Sequence, residues 1–265
     1  MRPVVRAVLL TGALLLPVPG GVSAHPQDPA RAVFQIRVIQ LLPGGAHLSV
    51  AQGTGFFIAP DGTALTNSHV VYRAVRDPAR FQLIAIVGRA GAAELYSVTV
   101  DCASTLSYTT SQASGLSPVT PGWDVAHIHV IPSTLPVSTW TEFLPTGRML
   151  PLATAHPGPL PAFPALQVAG APAPGMHVRI TGYGAGQAPP EQGTLSGTVE
   201  RLERARDGTE IFSVVLEERI ERGYSGSPVL DDQNRVVGLW TWSDSPDPTA
   251  AGDAQSTTAL TRPCP

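Results

Sequence analysis

The sequence predicts an all-β protein made of two six-stranded antiparallel β-barrels with a crevice between them, and three observations support this. Glycine and proline are abundant, 26 and 27 of 265 residues, which disfavours long helices and favours short strands joined by turns. Strand-length apolar runs recur along the chain with no repeat of about 20–50 residues, which argues against a solenoid or propeller. Each half of the chain offers about six such runs, and neither half alternates strands with helical patterns.

The elements follow in order. "AVFQIRVIQLL", Pro43-Gly44-Gly45 and "AHLSVAQGTGFFIA" read as two strands around a glycine-rich turn. Pro60-Asp61-Gly62 is a second turn, and "TALTNSHVV" is a third strand running into a short element. "RFQLIAIVG" and "ELYSVTVDC" continue the β signal until "ASTLSYTTSQASGLSPVTPG", a Ser/Thr-rich loop. "WDVAHIHVI" closes the first half. "PTGRMLPLATAHPGPLPAFP" then reads as an extended proline-rich connector at residues 146–165. "MHVRITGYG", "GTLSGTVERLE", "EIFSVVLEERI", "RVVGLWTW" and "STTAL" build the second barrel over residues 166–262, against 31–145 for the first.

The totals narrow the function classes. Formal net charge is −3, which provides no electrostatic reason to bind nucleic acid. Arg2 and Arg6 precede the apolar run "AVLLTGALLLPVP", and Val22-Ser23-Ala24 supplies a small-x-small cleavage site. Residues 1–24 therefore read as a signal peptide cut after Ala24, and the chain as secreted or periplasmic. The run is too short, and too broken by Gly12, Pro17 and Pro19, to serve as a membrane span.

The chemistry concentrates at "GYSGSPV", where Gly223 and Gly226 bracket Ser225. Glycines on both sides of one hydroxyl suit a tight turn that exposes the side chain and frees backbone amides for a ligand. A nucleophilic serine needs a base and an anion that orients the base. "LTNSHVV" supplies His69 at a strand end of the first half, and "GWDVAHI" supplies Asp124 entering an apolar strand. A bare carboxylate there is costly unless hydrogen-bonded. His, Asp, Ser is one of the known chain orders for such a triad. Ser227 stands where a G-x-S-x-G hydrolase elbow has its last glycine, which excludes that alternative.

Three motifs in register ("GTGFFIAPDGTALTNSHVV", "WDVA" and "GYSGSPVLDDQNRVVGLW") resemble those of trypsin-like serine peptidases over residues 31–262. The similarity is to the bacterial branches that include the HtrA/Deg proteases and the glutamyl endopeptidases. It implies a serine endopeptidase with His69 as general base, Asp124 orienting it, and the Gly223 and Ser225 amides as oxyanion hole. Thr241 falls where the family has a small polar residue beside the catalytic aspartate and is a candidate to hydrogen-bond Asp124. Protein or peptide substrates are implied, with no cofactor, metal, nucleic acid or membrane partner. A C-terminal PDZ domain of the HtrA type has no room after Ser225, so a monomer is expected. A catalytically silent binding or chaperone-like protein on the same fold is the alternative.

Where the chain departs from the family, specificity is affected. Tyr224 replaces the aspartate that pairs with a freed N-terminus in digestive enzymes, so activation by that ion pair is not expected. The primary pocket maps to Arg219, Ile220, Thr241, Trp242 and Ser243. Trp240 stands where the glutamyl endopeptidases have a histidine, and Arg219 offers no counter-ion for a basic side chain. An inward Arg219 suits an acidic substrate residue, whereas an outward one leaves Ile220 and Trp242 to favour an apolar residue. His127-x-His129 places two imidazoles on one strand face without a third ligand, which reads as structural or solvent-facing. "TGYGAG" lacks the helix a phosphate loop needs, and "EERIER" reads as a solvated strand edge.

Cys102 and Cys264 are the only cysteines, and in an oxidising compartment they are expected to pair. Closing so long a loop contributes about 4–5 kcal/mol in the chain-entropy model. Peptide mapping of exported, non-reduced protein should recover one Cys102–Cys264 cross-link; two alkylatable thiols would refute it.

Overall fold

The computed structural model describes residues 28–42, 47–88, 92–104, 122–135, 139–143, 149–184, 191–205, 207–242 and 249–263. The first barrel comprises β1 (Val33–Leu41), β2 (His47–Phe57), β3 (Thr63–Thr66), β4 (Phe81–Val87), β5 (Glu94–Ala103) and β6 (Ala126–Ile131). They run β4-β1-β2-β3-β6-β5, and an antiparallel β4–β5 pairing closes the ring. After a hairpin of β7 (Thr139–Phe143) and β8 (Met149–Ala155), the second barrel takes β9 (His177–Tyr183), β10 (Gln192–Arg204) and β11 (Glu210–Ile220). It is completed by β12 (Pro228–Leu230), β13 (Val236–Trp242) and β14 (Thr249–Ser256). Its closed order is β10-β11-β14-β13-β12-β9. The expected pair of six-stranded antiparallel barrels is the architecture observed.

Strand alternation decides what each barrel encloses. On β6, Ala126, Ile128 and Val130 are buried with Phe34, Ile36, Val38 and Phe57, so His127 and His129 lie on the half-buried face away from the barrel interior. Burial holds the His127 imidazolium below its usual range, with Asp101 opposing that effect. Among the described residues no group of His, Cys, Asp or Glu is placed to hold a metal ion. The second barrel encloses Val178, Ile180, Val199, Phe212, Val214, Val229, Val237 and Trp240. A third cluster lies on the seam, where Val33, Phe56, Leu65, Trp123 and Val125 meet Leu230, Val236 and Leu239. Leu260 of the short helix α2 (Thr257–Leu260) joins them. Each such fully buried side chain stabilises by about 2 kcal/mol, so the barrels are held together as one unit.

The proline-rich connector differs from expectation. Its first part is β8, which pairs with β7 and lies parallel to β5 through Glu94↔Thr154 and Leu95↔Ala155. Pro151 is tolerated because it stands where the β7–β8 register shifts, a bulge that asks nothing of a missing N–H. Only beyond Ala155 is the chain an extended strap. There Phe163 stacks on Phe57 at 4.2 Å, and the Leu166 amide donates to the Phe57 carbonyl at 2.9 Å. The leader at 1–24, much of the Ser/Thr-rich loop, Ser243 and Cys264 lie outside the described residues. Among the described residues no helix is long and apolar enough to cross a membrane.

His156 ties the start of this strap to the first barrel. Its Nδ1 lies 3.2 Å from Glu94 Oε1 and its Nε2 lies 3.0 Å from the Pro159 carbonyl. Tyr96 donates to the other Glu94 oxygen. A carbonyl and an ionised carboxylate only accept, so the ring satisfies both partners as an imidazolium. The Pro159 carbonyl, then Glu94, hold the His156 pKa above its ordinary value. A raised histidine pKa stabilises fully below the unfolded-state value and is lost as pH rises through the folded-state value. The thermal midpoint should therefore fall as pH rises through and above about 6.5, and His156→Gln should flatten that part of the curve. An NMR titration placing His156 at or below the ordinary histidine value would contradict this.

Candidate active site

His69 sits in the first turn of α1 (Ser68–Arg76), which buries Val70, Val71 and Ala74 against the first barrel. Asn67 occupies the N-cap position but makes no side-chain cap. Its amide instead donates to the Asp124 carbonyl at 2.8 Å and to the Thr241 hydroxyl at 3.1 Å. Asp124 lies in the extended segment before β6. Its Oδ2 is 2.6 Å from His69 Nδ1, and its Oδ1 accepts from the His69 backbone N–H at 2.9 Å. The aspartate side chain is 13% exposed and the histidine 27%, so the pair is shielded but not sealed. A carboxylate with a charge-assisted partner on each oxygen is the arrangement that makes its burial tolerable.

Ser225 comes from the second barrel, on the turn between β11 and β12. Gly223 and Gly226 both hold positive φ, at 102° and 89°. A Cβ on Gly226 would stand 2.0 Å from the Thr54 carbonyl oxygen, so the backbone geometry and the close approach both demand glycine. The turn is braced by the Ser227 amide on the Tyr224 carbonyl and the Gly226 amide on the Trp240 carbonyl, each at 2.9 Å. Thr54 of β2 completes the brace. Its N–H donates to the Ser225 carbonyl at 2.8 Å, and its hydroxyl donates to the Gly223 carbonyl at 3.1 Å. A Cβ on Gly53 would meet Val70 at 2.7 Å and the Ser225 carbonyl oxygen at 3.1 Å. Helix α1 and the serine turn thus flank the same point of β2.

In this structure the Ser225 hydroxyl donates to the Thr241 carbonyl at 3.2 Å.

Several expected positions are revised. The Thr241 hydroxyl does not bond Asp124: it accepts from Asn67 and donates to the Leu239 carbonyl at 3.0 Å. Thr241 is also buried, at 1% exposure, so it meets the site through its backbone and not as a pocket side chain. Ile220 is another correction, because its side chain packs in the second-barrel core beside Tyr224 and Trp240 and is unavailable to a substrate. Arg219 is exposed on β11, Trp242 ends β13, and Ser243 lies outside the described residues. Tyr224 is buried, and this raises its hydroxyl pKa, with Glu221 and Glu218 adding to the effect.

Other contributing residues carried no sequence signal. Gln255 of β14 is fully buried and spans two backbone groups, accepting from the Asp124 N–H at 3.1 Å and donating to the Gly122 carbonyl at 2.9 Å. Asp207 accepts from the intervening Trp123 N–H at 2.8 Å and from the Thr209 N–H at 3.0 Å. Burial pushes the Asp207 carboxyl up, but these amides, with the Thr209 hydroxyl and Arg262, more than offset it and hold it below the usual range. Thr54, between the glycines of "GTGFF", and Asn67, in "LTNSHVV", stood in motifs that could have pointed to them.

Compared with known families, residues 53–239 match the trypsin-like peptidase domain. The fold is similar to two crystal structures of the Rv3671c protease, both of inactive forms. One shares 20% identity over 88% of this chain and 86% of that chain, with a TM-score of 0.53. The other, from M. tuberculosis H37Rv and carrying a serine-to-alanine mutation, shares 20% identity over 96% and 93%, with a TM-score of 0.54. At that identity the likeness is one of fold. No curated protein matches the chain.

Because the Thr241 hydroxyl serves Asn67 and Leu239, Thr241→Val should cost about 1–3 kcal/mol in a denaturation experiment. The pH dependence of reactivity at Ser225 should stay that of the parent. A shifted acid limb would show that the hydroxyl acts on the Asp124 carboxylate.

Proposed function

The chain belongs to the trypsin-like peptidase family, and from that premise we propose a secreted or periplasmic serine endopeptidase working through Ser225, His69 and Asp124. The observation that carries this reading is the 2.6 Å contact of His69 Nδ1 with Asp124 Oδ2, at the seam facing the Ser225 turn. An ionised carboxylate accepts, so the contact keeps the ring proton on Nδ1 and leaves Nε2 as a base. Nε2 takes the Ser225 proton as Oγ attacks the substrate carbonyl carbon. Asp124 stabilises the resulting imidazolium without taking the proton itself. The proton then passes to the leaving amine, the C–N bond breaks, and an acyl-enzyme ester remains on Ser225. Water, deprotonated by Nε2, cleaves that ester and restores the serine.

The oxyanion formed at each step is stabilised by the Gly223 and Ser225 N–H groups, worth roughly 3–4 kcal/mol per donor. The positive φ of Gly223 supports that assignment, since it sets the amide direction at no cost in side-chain strain. Export by the residue 1–24 leader and a Cys102–Cys264 disulfide belong to the same reading. Cys102 packs against the cluster that includes Leu260 of α2, only a few residues from Cys264.

The catalytically silent alternative has one observation in its favour, the Ser225 hydroxyl turned to the Thr241 carbonyl. A fluorophosphonate probe separates the two readings. Covalent labelling and peptidase activity, both abolished in a folded Ser225→Ala variant, are expected. An unlabelled wild-type protein, or activity that survives in the variant, would overturn the assignment.

A further inference from the structure

We propose that Gln255 is a positioning residue for catalysis, a side chain of the second barrel that sets where the Asp124 carboxylate of the first barrel stands. The proposal rests on the triad reading above and adds to it the element on which that triad's alignment depends.

Three consecutive residues carry the argument. In an extended segment the carbonyl of one residue and the amide two residues on point to the same side, and the amide between them points away. Gly122 to Asp124 follow this pattern. The Gly122 carbonyl and the Asp124 N–H both meet the Gln255 carboxamide, at 2.9 and 3.1 Å, while the Trp123 N–H turns to Asp207 at 2.8 Å. One carboxamide thereby does what the N–H and C=O of a single residue on a neighbouring strand would do. Its orientation is dictated by its partners, because a backbone N–H only donates and a carbonyl only accepts.

Gln255 is itself fixed. It is fully buried, and its backbone pairs with Ile211 on one side and Leu239 on the other. The central strands of the second barrel therefore hold the clamp, while Asn67 and the Ser68 N–H, at 2.8 and 3.3 Å, hold the Asp124 carbonyl from the first. Asp124 is gripped at N–H and C=O by different barrels. His69 and Asp124 belong to one barrel and Ser225 to the other, so the contact that registers Asp124 against β14 also registers the base against the nucleophile. Losing it leaves a shielded N–H and a carbonyl without partners. Displacement by about 1 Å in such a constellation costs about 100-fold in rate.

Two substitutions of similar length test this. Gln255→Met removes both polar contacts, and Gln255→Glu keeps the acceptor but, when ionised, cannot donate to Gly122. At neutral pH fluorophosphonate labelling of Ser225 should slow about 100-fold in the first and about 10-fold in the second. The loss in peptide hydrolysis should fall on kcat with KM nearly unchanged, and the low-field proton resonance of His69 Nδ1–H should move or broaden. Circular dichroism and thermal melts report whether each variant is folded. Should Gln255→Met fail to fold, the Gln255→Glu rates and the exchange of the wild-type Asp124 amide, expected to be among the slowest, decide. Wild-type labelling rates in the folded variants, an unmoved Nδ1 resonance, or fast Asp124 amide exchange would overturn the clamp while leaving the triad intact. An unlabelled wild-type protein would overturn the triad reading and the clamp with it.

Discussion

A carboxylate shielded at the seam between two barrels is the constraint around which the rest of this molecule is arranged. Asp124 is only 13% exposed, and an ion so placed is tolerated when its own oxygens are hydrogen-bonded. His69 supplies two contacts, one from the ring and one from the backbone. Both depend on α1 beginning immediately after β3, so that its first turn delivers an N–H and an imidazole to the same carboxylate. That helix has no side-chain cap: the Asn67 Nδ2 donates to the Asp124 carbonyl and the Thr241 hydroxyl, and its Oδ1 accepts from no helix N–H.

The seam also determines the serine. Ser225 stands on a turn whose two glycines hold conformations that other residues rarely adopt, and Thr54 of the opposite barrel fastens that turn through Ser225 and Gly223. Thr66 in turn donates to the Thr54 carbonyl at 2.7 Å, and the Tyr183 N–H donates to the Thr54 hydroxyl at 3.1 Å. A small buried polar network thus runs from β3 through β2 to β9 within a largely apolar interface. Fully satisfied networks of this kind fix register more sharply than apolar contact alone, because their geometry admits little sliding.

The differences from the sequence reading share one origin. Ile220 lies next to exposed Arg219, and only the closed second barrel turns its side chain into the core. Thr241 has the right chemistry to approach Asp124, yet Asn67 and the Leu239 carbonyl meet its hydroxyl first. The proline-rich stretch was readable as extended, but β8 forms by pairing with β7 and, at Thr154 and Ala155, with the end of β5 that lies beyond its pairing with β6.

The sequence by itself determined the all-β class and the two barrels, and it supplied His69, Asp124 and Ser225 in the chain order of the proposed triad. The class follows from local chemistry: alternation sets strand faces, glycine and proline set turns, and a bracketed serine sets a tight exposed loop. Only the tertiary structure decided which residues surround Asp124. Gln255 reaches its amide across 131 positions, and Thr54 reaches the Gly223 carbonyl across 169. Such contacts depend on the register and facing of strands that meet only after both barrels close. A single-residue slip would send every one of those side chains to the opposite face.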